Sequence, residues 1–161
     1  MPILHVQVSG QGLTLDGKTV EIPHSVALQQ RGPCVQVSVT LAQVLAQILI
    51  QQGKELPTPI TGLGLIDTGA SVTCIDEDVA RRLGLPAIDV VTMSSASHAK
   101  TERNVYPIQI DVVGVPIKFQ AHHAIGAELA SQGIISLIGR DVLQFCTLFY
   151  NGLTGEMTLS I

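Results

Sequence analysis

The chain has 161 residues and a formal net charge of −4; 46% of its residues are hydrophobic, 14% are charged and 3% are aromatic, with no Trp. That length suits one domain whose core needs no disulfide or metal staple, and the composition excludes a disordered tail. Nine Lys and Arg, of which only Arg81 and Arg82 are adjacent, leave no basic stripe for nucleic acid.

With so few aromatics the core must be built from Val, Ile, Leu and Ala, which favours β-sheet. Residues 3–8 and 19–22 alternate as two short strands, with Gly10, Gly12 and an Asp16-Gly17 turn signal between them; a loop then runs to Gly32-Pro33. Residues 34–40 alternate cleanly and predict a half-buried strand. In 41–52 the period changes: Leu41, Val44, Leu45, Ile48 and Leu49 recur at three and four, with Ala and Gln between them. This predicts a short amphipathic helix stopped by Gly53, with a strand through 35–45 as the alternative.

From residue 60 onward the pattern is β. Residues 60–66 form an apolar strand running into Asp67-Thr68-Gly69. Residues 76–84 predict a short helix, acidic at its start, basic at its end and closed by Gly84. Strands are expected at 88–93 and 105–113, around the polar, small-residue segment 94–104. Gly114-Val115-Pro116 turns the chain into a strand at 117–125. A loop or helical turn at 126–133 leads to an apolar strand at 134–138, and Asp141 should open a short helix. The last two strands, 145–150 and 156–161, flank the hairpin signal Asn151-Gly152.

Asp-Thr-Gly alone is an ordinary turn tripeptide. Its setting is less ordinary. An apolar strand delivers Asp67 at its end, and the small residues Gly69, Ala70 and Ser71 follow. About seventy residues later a second apolar strand, Ile134-Ile135-Ser136-Leu137-Ile138, ends in Gly139-Arg140-Asp141. This pair resembles the retropepsin-like aspartic proteases, whose catalytic loop reads apolar-apolar-Asp-Thr/Ser-Gly-Ala/Ser and is flanked by a later apolar-apolar-Gly segment. The resemblance spans roughly residues 60–150. It implies an all-β, single-lobe acid-protease barrel with short helices, and a domain over 34–161 that carries a helical insertion at 41–52 and follows an N-terminal extension at 1–33.

The resemblance also assigns roles. Asp67 is the catalytic carboxylate, Thr68 stiffens the loop across a two-fold axis, and Gly69 lets the substrate backbone approach and leaves a main-chain acceptor exposed. Ala70 and Ser71 line the cleft, Gly139 lets the second strand pass behind the loop, and a flap at about 93–104 carries Ser95, Ala96 and Ser97 near its tip. Hydrolysis of a peptide without metal or nucleophilic side chain needs two carboxylates sharing one proton, one acting as base and one as acid. The chain holds one Asp-Thr-Gly, so the economical arrangement is a homodimer in which each subunit supplies Asp67. The implied activity is that of an aspartic endopeptidase acting on extended polypeptide; the alternative is a protease-like binding or dimerisation module with little turnover.

Three departures from the viral pattern stand out. The flap segment has no glycine. Ser71 occupies a position that is acidic in viral members, so Arg140 needs another partner, expected on the partner chain. The chain also runs past the usual end, adding the hairpin at Asn151-Gly152. No cofactor or metal is expected: His122 and His123 are adjacent on a strand and point to opposite faces. Cys34, Cys74 and Cys146 read as buried thiols, His98 as a loop histidine, and Asp76, Glu77 and Asp78 as a helix start. With no visible signal peptide or membrane span, the expectation is a cytoplasmic protein without a membrane partner.

Overall fold

The computed structural model describes residues 1–95 and 98–161. The strand at Cys34–Leu41 (β4) buries Val35, Val37, Val39 and Leu41 on one face, as its alternation predicts. It pairs antiparallel with Ile60–Ile66 (β5) along one edge and with the far end of the long strand His98–Val112 (β8) along the other. That double pairing closes a barrel. Among the described residues six strands complete it, in the order β4, β5, Ser136–Ile138 (β10), Cys74–Asp76 (β6), Lys118–Ala127 (β9) and β8. Its core holds Val37, Val39, Ile75, Ile108, Ile110, Ile117 and Ile138, branched residues throughout.

The strand Asp89–Ser95 (β7) pairs with the first half of β8 and joins it in a hairpin standing off the barrel. The polar segment expected to separate two strands is therefore itself largely strand. The two terminal regions meet: Ile3–Gln7 (β1) pairs antiparallel with Glu156–Ser160 (β12), which pairs with Thr147–Asn151 (β11). Leu4 of β1 and Met157 and Leu159 of β12 join the main core. Gly10–Leu13 (β2) and Thr19–Ile22 (β3) form a separate hairpin.

Four helices occur among the described residues. His24–Arg31 (α1) falls where a loop was expected. Only Ala27 and Leu28 are buried on it, so it has no apolar period to read. Gln43–Gln51 (α2) is the expected helix, starting two residues late because Leu41 stays in β4, paired with Ile108. Only Leu45 and Leu49 of its apolar face pack against the core, while Val44, Ile48 and Ile50 are exposed. Glu77–Arg82 (α3) and Arg140–Leu143 (α4) match expectation, and a 3-10 turn occupies Ala130–Gln132. No described helix is long and apolar enough to cross a membrane.

Candidate active site

Asp67 follows the last residue of β5, and its backbone is tied to the neighbouring strand: its N–H donates to the Ile138 carbonyl at 3.0 Å. The carboxylate is oriented locally, because Oδ1 accepts the Gly69 N–H at 2.7 Å. Ala70 N–H donates to the Asp67 carbonyl at 3.3 Å and closes the turn. Asp67 and Ala70 are half-buried, whereas Thr68, Gly69 and Ser71 are exposed.

β10 and α4 clamp this loop. β10 runs parallel to β5, with Leu137 opposite Leu65 and Ile138 opposite Ile66. Beyond it, Arg140 N–H donates to the Ala70 carbonyl at 3.0 Å and Asp141 N–H to the Ser71 carbonyl at 3.2 Å. Gly139 sits where only hydrogen fits, since a Cβ there would lie 2.6 Å from the Val72 carbonyl carbon. Buried Thr73 stitches the two segments: its hydroxyl donates to Asp141 Oδ1 at 2.8 Å and accepts the Gly139 N–H at 3.1 Å.

Thr73→Val keeps the volume but removes both bonds, leaving the Gly139 N–H without its acceptor inside the fold. The expected cost is about 2 kcal/mol, read as a lower midpoint in urea unfolding with an unchanged slope.

The Arg140 guanidinium finds its partners within its own chain. Nη1 donates to the carbonyls of Thr68 at 2.7 Å and Gly69 at 2.9 Å. One guanidinium nitrogen thus serves two loop carbonyls, and among the described residues Arg140 forms no ion pair. The Gly69 carbonyl, expected to stand open, already carries this bond.

Cys74 lies on β6 behind the loop. Burial pushes its thiol up, and the charges of Asp141 and Asp67 push the same way, so it stays a thiol at neutral pH. Asp76 is buried and takes N–H groups from Asp78, Leu129 and Ala130, a structural carboxylate at the start of α3. Among the described residues no three His, Cys, Asp or Glu side chains gather as a metal site, and His122 and His123 are both exposed.

The segment expected to be the flap falls on the β7–β8 hairpin. Its pairing continues to Ser95 opposite His98, while Ala96 and Ser97 lie outside the described residues. Its base is anchored where Tyr106 OH and Asn104 Nδ2 both donate to Glu77 Oε1 of α3. Burial and the Glu77 carboxylate push the Tyr106 hydroxyl up, which keeps it a donor. Glu77, Asn104, Tyr106 and Thr73 were not singled out as site residues. Each is an ordinary polar residue in sequence, and only the fold brings them together.

Residues 63–144, just over half of the chain, match the model of the family described as "gag-polyprotein putative aspartyl protease". The fold is similar to the solution structure of Simian Foamy Virus (mac) protease, at 14% identity and a TM-score of 0.45, covering 70% of this chain and 93% of that one. No curated protein matches. The matched span contains the Asp67 loop, the hairpin, β10 and α4, and the chain belongs to the gag-polyprotein aspartyl protease family.

Proposed function

We propose that the protein is an aspartic endopeptidase that works as a two-fold homodimer, each subunit contributing one Asp67 carboxylate to a shared dyad. The observation that carries this reading is the clamped loop: one carboxylate, half-buried, aimed by the Gly69 N–H and braced from behind by β10 and α4. Two such carboxylates a few ångströms apart hold a single proton between them. The ionised member takes a proton from the attacking water while the protonated member donates to the peptide carbonyl oxygen; the first then gives its proton to the nitrogen and the second takes one back from the diol as the C–N bond breaks and the amine leaves. Thr68 stiffens the dyad across the axis, and Gly69, Ala70 and Ser71 line the cleft with Gly139 behind them. The resemblance assigns Ser95, Ala96 and Ser97 to substrate binding.

The surface beside the loop supports a second copy. β11 is the end strand of its three-stranded sheet, with no partner on its outer side among the described residues. Unpaired edges invite pairing. Phe149 on this strand is 62% exposed and Phe145 just before it is 72% exposed. A cavity of about 300 Å³ lined by Thr68, Arg140, Leu143, Gln144 and Leu148 joins the edge to the catalytic loop. Two copies related by a two-fold axis would pair β11 with β11 and bring both loops to that axis.

The direct test is incubation with a denatured protein across pH 3 to 7, with and without a statine-type transition-state mimic. Cleavage with a mildly acidic optimum, blocked by the mimic, is expected; no cleavage at any pH would sink the reading. Phe149→Glu places a charge at the proposed edge and is expected to weaken the dimer by about a hundredfold. Light scattering at micromolar concentration should then show a monomer, with cleavage falling in step.

A further inference from the structure

Arg31 ends α1 with its side chain exposed, and among the described residues it forms no ion pair. It complements the helix C-terminus, a role that any basic residue fills. Its surroundings are more specific. Leu63 and Leu65 are half-buried on the outer face of β5, alternating with buried Gly64 and Ile66, and Asp67 follows directly on the end of this strand. Leu65 is two residues from Asp67, about 7 Å along an extended strand. Across the sheet, Leu137 stands opposite Leu65.

A concavity of about 470 Å³ opens on this face, with Leu63, Leu65 and Ile134 as apolar lining and Gln30, Gln132 and Arg31 among its polar residues. A second, of about 440 Å³, shares Arg31, Cys34 and Leu63 and extends towards Leu4 and Val6 of β1. Among the described residues no carboxylate lines either one. The chain turns sharply after Arg31, and a Cβ on Gly32 would lie 2.8 Å from Leu65 Cδ1, so the residue next to Arg31 sits against the β5 face, and Arg31 lines the same concavity as Leu63 and Leu65. The Cys34 thiol, pushed up by burial, is drawn back by the Arg31 charge beside it.

Resting on the protease reading above, we propose that Arg31 is a specificity-determining residue that selects substrates with an acidic side chain within about two positions of the scissile bond. An Asp or Glu laid in the concavity places its methylenes on Leu63 and Leu65 and its carboxylate at the guanidinium. An Arg–carboxylate pair partly removed from water is bidentate and directional. A Lys in the same place meets a like charge with no carboxylate to offset it, so the site discriminates by repulsion as well as attraction.

The test starts by mapping the bonds that the wild-type protein cuts in a denatured protein, reading the new termini by mass spectrometry. Matched peptides carrying Glu, Gln or Lys at the enriched position are then compared with wild type, Arg31→Gln and Arg31→Glu. Wild type is expected to favour Glu over Lys by about tenfold or more in kcat/KM. Arg31→Gln should flatten that ratio and Arg31→Glu should invert it. A purely structural Arg31 would change overall activity and leave the ratio alone. Cleavage by all three proteins with the same Glu-to-Lys ratio would overturn the proposal and leave the protease reading standing. A wild-type protein that cuts nothing would overturn both.

Discussion

Asp67→Asn is expected to lower peptide cleavage by roughly a thousandfold or more while leaving the fold and the dimer intact. The side chain is isosteric and half-buried, and its Oδ1 role of accepting the Gly69 N–H survives in the amide oxygen. What disappears is the ionisable proton. If both members of the dyad become amides, neither can take a proton from water, and the pair no longer switches between acid and base. The measurement is kcat/KM on a peptide already shown to be cut, with thermal unfolding and light scattering as controls. Full activity in the variant would remove Asp67 from the mechanism. Mixing wild-type and variant subunits adds a sharper reading: if the dyad is shared, heterodimers carry one carboxylate and are inactive, so excess variant should suppress wild-type activity.

Gly139→Ala should be among the most destabilising single-atom additions near the site, at about 3 kcal/mol. The backbone there is extended, with φ −89, so any residue can adopt it. The obstacle is space. An added Cβ would lie 2.6 Å from the Val72 carbonyl carbon, 2.7 Å from its oxygen and 2.9 Å from the Thr73 nitrogen. These are backbone atoms of the catalytic loop, and no rotamer change relieves the contact. β10 and α4 would have to move away, stretching the bonds from Asp67 N–H to Ile138, from Gly139 N–H to Thr73 and from Arg140 N–H to Ala70. The expected drop in Tm is roughly 6–12 °C, with cleavage reduced further because the loop loses its brace. Gly152→Ala is the control: its Cβ would meet only the Tyr150 ring at 3.6 Å, and its effect should be near zero.

The strands of the barrel were legible wherever alternation is long enough to register. β4 announces itself through Val35, Val37 and Val39, and β5 through its apolar run into Asp67. α2 was legible as a helix, but its apolar face was read too wide, because Leu41 obeys the strand before it. β6 left no trace in the pattern. Three residues cannot show a period, and Cys74–Asp76 is a strand because β10 lies on one side and β9 on the other. α1 escaped for the opposite reason: eight residues with one buried pair carry too little apolar signal to be told from a loop.

By itself the sequence determined the chemistry-bearing pieces: an apolar strand ending in Asp67-Thr68-Gly69, a second ending in Gly139-Arg140, and a β-rich core of branched residues. These are local facts, written in side-chain type and spacing. The tertiary structure decided which pieces are partners. It set Arg140 on the loop's own carbonyls, made Thr73 the tie between loop and helix, joined the first strand to the last, and closed the barrel through β4 and β8. Hydrogen-bond partners across a sheet depend on register between segments tens of residues apart, and no local period carries that information.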